Sequence, residues 1–96
     1  MSAPSSVTVR DNVEKSRYEA VDDSGSVAGF ATYRRHGDRV VFQHTEVDDA
    51  YEGQGIGSTL AKSALDAARR EERTVVPHCP FIKSYIDRHS EYADLL

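Results

Sequence analysis

Three glycines alternate in Gly53-Gln54-Gly55-Ile56-Gly57, between a β-branched run and a long amphipathic one. The run before them, Val40 to Val47, predicts a strand. The run after them predicts a helix from Ile56 to about Glu72, because Ile56, Leu60, Ala61, Ala64, Leu65 and Ala68 fall on one helical face. Lys62, Asp66, Arg69 and Arg70 lie outside that stripe. Glycine has no Cβ, so its backbone can approach a ligand and adopt conformations closed to other residues. The first N–H groups of a helix have no intrahelical partners and stand at the positive end of its dipole. Together these features predict an anion site suited to phosphate or pyrophosphate. The plainer alternative is a tight strand-to-helix turn.

Spacing narrows the ligand. A Walker loop needs Gly-x4-Gly-Lys-Ser/Thr, and no lysine follows a glycine here. A dinucleotide fingerprint needs Gly-x-Gly-x-x-Gly. Counted from Gly53 its last position is Ser58, and counted from Gly55 it is Leu60. Both nucleotide patterns fail. The stretch Glu52-Gly53-Gln54-Gly55-Ile56-Gly57 instead resembles the acetyl-CoA loop of the GNAT superfamily of N-acetyltransferases, Arg/Gln-x-x-Gly-x-Gly/Ala between the fourth strand and the next helix. Glu52 stands where the pattern has Arg or Gln, which removes a favourable charge near the phosphates. A second segment, VVPHCPFIKSYIDRHSEYADLL, resembles a small GNAT subfamily with a Pro-x-Cys-Pro/Ser-aromatic stretch and a terminal Arg-His-x-Glu-Tyr-x-Asp-Leu.

The resemblance implies an α/β (α+β) fold, a minimal GNAT-like one. Its sheet is mostly antiparallel, with a parallel β4-α-β5 unit and a short C-terminal helix. The order of predicted elements agrees: strands at Val7–Arg10, Arg17–Val21, Ser26–Arg34 and Arg39–Val47, then the loop and helix, a strand at Arg73–His78, and a helix beginning at Pro80. The third strand is partly apolar on both faces and is expected inside the sheet. The tail SEYADLL is expected to add one more turn. The two helices between the first two strands of full-length GNAT folds, and their last two strands, have no counterpart here.

The chain of 96 residues is expected to form a single domain over residues 7–96, after a small, polar and disordered residues 1–6. Net charge is −4 and no basic block occurs, so nucleic acid is not an expected partner. The start MSAPSSV lacks the basic and apolar regions of a signal peptide, and no apolar run is of membrane-spanning length. The single cysteine, Cys79, suits a reducing compartment. The expectation is therefore a cytoplasmic protein without membrane contact, monomeric or weakly dimeric.

The resemblance also implies site residues. Acetyl-CoA or CoA would be the cosubstrate. The backbone of Thr45, Glu46 and Val47 would pair with the pantetheine amides as an added strand. The loop Glu52 to Ser58, through the amides of Gln54, Gly55, Ile56, Gly57 and Ser58, would hold the pyrophosphate. Acetyl transfer to an amine needs a base, a stabilised oxyanion and a protonated leaving thiolate. Glu46 and His44 are candidate bases, two apart on one strand and so on one face unless a bulge intervenes. Cys79 stands at a strand-to-helix junction, where a helix N-terminus favours thiolate; it is a candidate acetyl acceptor, acid or pocket wall. Tyr85 matches the tyrosine that protonates the leaving thiolate in many GNAT enzymes. Each has a structural alternative, in core packing for Cys79, His44 and Tyr85 and in a solvated strand end for Glu46. No metal is expected, since His78-Cys79 is not a ligand spacing and no Cys-x-x-Cys occurs. The acceptor, a small-molecule or protein amine, is not legible. Two other functions fit the same residues: a non-catalytic CoA-binding or interaction module, and a thiol enzyme using Cys79 and His44. Glu52 gives a direct test of the loop. Glu52→Arg should tighten CoA binding measured by calorimetry at low salt, and the gain should shrink as salt is added.

Overall fold

The computed structural model describes residues 7–96; the expected disorder of residues 1–6 lies outside the described residues. Five strands form one sheet in the order β1-β2-β3-β4-β5. They are β1 (Thr8–Asn12), β2 (Arg17–Val21), β3 (Val27–His36), β4 (Arg39–Val47) and β5 (Thr74–Pro77). The first four pair antiparallel, and β4 pairs β5 in parallel. Helix α1 (Ile56–Arg70) makes the crossover between β4 and β5, and α2 (Pro80–Arg88) follows. Short 3-10 turns occupy Val13–Lys15, Asp49–Tyr51 and Ser90–Leu95. The central position of β3 agrees with its two partly apolar faces.

The helices cover one face of the sheet. There Tyr18 and Ala20 of β2, Tyr33 of β3, and Val40 and Phe42 of β4 meet the α1 stripe of Ile56, Leu60, Ala61, Ala64, Leu65 and Ala68. Ile82, Tyr85 and Ile86 of α2 extend the same core, and Tyr92 and Leu95 close it. Each fully buried aliphatic side chain contributes roughly 1.5–3 kcal/mol. The periodicity of α1 therefore did set which face is buried. Its end differs from the expectation: α1 stops at Arg70, because Glu72 adopts a left-handed φ of 57° that turns the chain toward β5. The β3–β4 turn narrows to Gly37-Asp38, with Gly37 at φ 60°, since the strands pair up to His36↔Arg39.

The opposite face of the sheet carries charge. Glu19 is 1% exposed and was not anticipated as a buried group. Its carboxylate accepts from Arg17 Nε at 2.7 Å, Arg10 Nε at 2.9 Å and Asn12 Nδ2 at 3.1 Å. Burial pushes its pKa up, but the hydrogen bonds from Arg17, Arg10 and Asn12 outweigh this and hold it below the usual glutamate value. A depressed carboxyl pKa stabilises the fold above the unfolded-state value, and that stability is lost as pH falls through the folded-state value. Glu19→Gln should therefore lower unfolding stability by about 2 kcal/mol at pH 7. Urea melts run at falling pH should show the gap between wild type and variant closing once Glu19 is protonated.

Candidate active site

The site is built where β4 and β5 part. Their pairing runs from Arg39↔Thr74 to Phe42↔Pro77 and stops. Beyond it, the Cys79 amide donates to the Phe42 carbonyl at 2.9 Å and turns the chain into α2. From His44 to Val47, β4 keeps its partner β3 but has no β5 beside it. A bulge sits at the same point. Tyr33 opposes Phe42 while Thr32 opposes His44, so Gln43 is the extra residue. The bulge reverses the alternation of side chains. Val40 and Phe42 face the helices before it, and Thr45 and Val47 do so after it.

His44 and Glu46 consequently share the open face, since the bulge precedes both. His44 Nε2 and Glu46 Oε2 are 2.8 Å apart, and both side chains are more than half exposed. On the helix side, Cys79 caps α2 and is 2% exposed, with Sγ 3.3 Å from Thr45 Oγ1. The structure thus brings His44 to Glu46 and Cys79 to Thr45. It does not bring His44 to Cys79. Tyr85 lies in the core, 5% exposed, stacked on His89 at 3.9 Å. Burial above all raises its pKa, with the charges of Lys62, Glu91, Asp66 and Arg88 acting on it.

The loop presents unpaired donors. Gly55, at φ 75°, caps α1 without a side-chain hydrogen bond. The first helical bond joins the Thr59 amide to the Gly55 carbonyl at 3.0 Å. The amides of Gly55, Ile56, Gly57 and Ser58 therefore have no acceptor among the described residues. One expected donor is corrected: the Gln54 amide is taken by the Tyr51 carbonyl at 3.2 Å, because Gln54 closes the turn after Asp49–Tyr51. Ile56 can offer only its backbone, as its side chain is 2% exposed. Glu52 and Gly53 are exposed. The acidic turn is anchored from across the sheet. Asp22 accepts from the Tyr51 hydroxyl and from the amides of Ser24 and Ser26, both at 2.9 Å. The Tyr51 hydroxyl above all, with Ser24 and Ser26, holds the Asp22 carboxyl down to about 2.

Two glycines shape the site sterically. A Cβ on Gly57 would meet Phe81 Cζ at 2.8 Å, so the ring of α2's second residue packs on the first turn of α1. The second is Gly29, inside β3. A Cβ there would meet the Glu46 carbonyl oxygen at 2.7 Å and Ile56 Cγ2 at 3.2 Å. The available signal was the glycine itself, which inside a strand marks close approach of another backbone.

The order of strands and helices agrees with what comparison finds. The family described as GCN5-related N-acetyl-transferase matches residues 17–95. The chain belongs to that family. It is similar to Protein NATD1 of Gallus gallus and of Homo sapiens, each 46% identical over 55 residues. Those matches cover 56% of this chain and 50% and 49% of the relatives, so the chain spans about half the length of the curated relatives it matches. Among solved structures, a GCN5-like protein from Staphylococcus aureus has a TM-score of 0.70 and 25% identity, over 92% of this chain and 85% of that one. Nourseothricin acetyltransferase shares the fold, with a TM-score of 0.52 and 18% identity over 78% of this chain and 59% of that one. No helix among the described residues is long and apolar enough to cross a membrane, and no cluster of potential metal ligands occurs among them.

Gly29 and Gly57 yield contrasting expectations. Gly29→Ala collides with backbone that cannot move without parting β3 from β4, and should cost roughly 1–3 kcal/mol in a thermal or urea melt. Gly57→Ala meets only the far end of a partly exposed ring and gains helix propensity. It should leave stability within about 0.5 kcal/mol of wild type.

Proposed function

We propose that the protein is an acetyl-CoA-dependent N-acetyltransferase that moves an acetyl group to an amine, in the cytoplasm. The observation that carries this reading is the open edge of β4 from His44 to Val47, beside the unpaired amides at the start of α1. A pyrophosphate suits the amides of Gly55 to Ser58, since four N–H donors at a helix N-terminus meet an anion there. An amide-bearing pantetheine suits the open backbone of Thr45, Glu46 and Val47, which can receive it as a further strand. The residues present thus fit CoA.

The chemistry follows from the two faces of β4. An ammonium approaching the open face loses its proton to the Glu46 carboxylate, and the His44 imidazole at 2.8 Å orients that carboxylate or relays the proton. The amine nitrogen then bonds to the thioester carbonyl carbon, and the carbon–sulfur bond breaks. The leaving thiolate takes up a proton, so that amide and CoA thiol are the products. Cys79 lies on the other face, closed off by burial and engaged with Thr45. This favours direct transfer, with Cys79 as a wall, over an acetyl-cysteine intermediate. It also disfavours a thiol enzyme, because the Cys79–His44 pair that such an enzyme needs is not formed. A core role for Tyr85 is favoured by its stacking on His89.

The test has two parts. A ligand that binds only the native state raises the melting temperature. Acetyl-CoA and CoA should do so and NAD should not; equal shifts from all three would remove the assignment. CoA release with a panel of amines then reads turnover, and binding without turnover on any amine would leave a CoA-binding module. Cys79→Ala should retain turnover. Glu46→Gln should bind CoA as wild type does and lose turnover by about 10²-fold or more.

A further inference from the structure

The helices cover one face of the sheet and leave the other bare. Two rows of side chains run across that bare face, set by the strand registers. Glu19, Phe30 and Glu46 form one row, and Arg17, Thr32 and His44 form the next. Near the end of β4 the face is hollowed into a cavity of about 260 Å³, lined by Arg17, Phe30, Glu46 and Asp48 together with the small and apolar residues of Val27–Gly29 and Val47. Its groups are of three kinds. Phe30 is an apolar floor. The Arg17 guanidinium lies over it, 4.4 Å from the ring centroid. Glu46 and Asp48 stand on the β4 side as carboxylates.

Arg17 is positioned rather than merely present. Among the described residues its Nε alone is spent, on the buried carboxylate of Glu19 at 2.7 Å. Stacking on Phe30 fixes the plane of the guanidinium, and its two terminal amino groups are left to a ligand. Glu46 and Asp48 offer the opposite charge, two strands away. The Arg17 side chain leans along its strand to reach Phe30, whose register partner on β4 is Glu46, so the opposite charges flank that ring. An α-amino acid carries a carboxylate for such a guanidinium and an ammonium for such carboxylates on one carbon.

We propose that this cavity binds the acceptor, and that the acceptor is an amino acid. Its carboxylate lies on Arg17, its ammonium lies between Glu46 and Asp48, and its side chain rests against Phe30. The assignment as acceptor rests on the acetyltransferase reading. The binding site itself does not. The ammonium is thereby delivered to the carboxylate that takes its proton, at the open edge of β4 where the thioester would lie. A simple amine lacks the group that Arg17 is held to receive.

Three probes with the same phenylethyl body separate the contributions: L-phenylalanine, 2-phenylethylamine and 3-phenylpropionate. Each is titrated into the full chain without CoA, following the backbone amides of Phe30, Glu46 and Asp48 and the Arg17 side chain by nitrogen–proton NMR. L-phenylalanine should move these signals at a concentration at least tenfold below either of the others. Arg17→Lys keeps a charge for Glu19 but loses the planar fork that matches a carboxylate. It should erase the advantage of L-phenylalanine over 2-phenylethylamine. Equal binding of these two to the wild type would overturn the recognition by Arg17. Shifts absent for all three, or shifts elsewhere on the molecule, would overturn the site. A parallel CoA titration keeps the two readings apart. If CoA binds and L-phenylalanine does not, the cavity proposal fails alone. If L-phenylalanine binds and CoA does not, the acetyltransferase reading fails, and the acceptor role fails with it.

Discussion

One backbone hydrogen bond decides where the sheet stops being continuous. The Cys79 amide takes the Phe42 carbonyl at 2.9 Å, and the β4–β5 ladder ends there. Pro80 follows at once; it has no N–H to donate and a φ already suited to a helix, so the chain leaves the sheet as α2. Past that point β4 has donors and acceptors on one side with no strand beside them among the described residues. An exposed strand edge invites another chain or an extended ligand. Here the edge is short, flanked by two helix N-termini and followed by an acidic turn, which makes it a cleft rather than a surface for aggregation.

The bulge at Gln43 acts with this parting. Without it, regular alternation from Phe42 would aim His44 and Glu46 at the helices and Thr45 at solvent. The extra residue reverses the order, so that the polar pair faces the bare side of the sheet and Thr45 meets the Cys79 sulfur. Gly29 makes the arrangement possible, because only a residue without Cβ lets the Glu46 carbonyl and the Ile56 side chain come so close. The placement of Glu46 and the packing at the α1 N-terminus therefore depend on the same contact.

Buried charge supports the bare face. A carboxylate taken from water is costly unless it is paired and hydrogen-bonded. Glu19 meets that condition through three side chains from β1 and β2. The effect is to lock Arg10 and Arg17 against the sheet, where no helix does so. Asp22 plays a comparable part at the far end of the sheet, joining the β2–β3 turn to Tyr51 and hence to the loop.

Much of this was legible in the residues. The α1 stripe, the order of strands, the parallel unit and the glycine turn that opens α1 all follow from local rules: a period of 3.6, alternation in strands, glycines ahead of a helix and a proline at a helix start. These rules act over a few residues, so the sequence by itself determines them. Burial of Glu19 was not legible, because a single charged residue in a strand reads as solvent-facing until the partners from neighbouring strands are known. Gln54 looked like a phosphate donor until Tyr51 was found to occupy its amide. The bulge, the close approach at Gly29 and the sides of β4 taken by Cys79 and His44 were decided by tertiary structure alone. Each depends on the register between strands far apart in sequence, and register is set by the packing of the whole sheet against α1 and α2 rather than by any one strand.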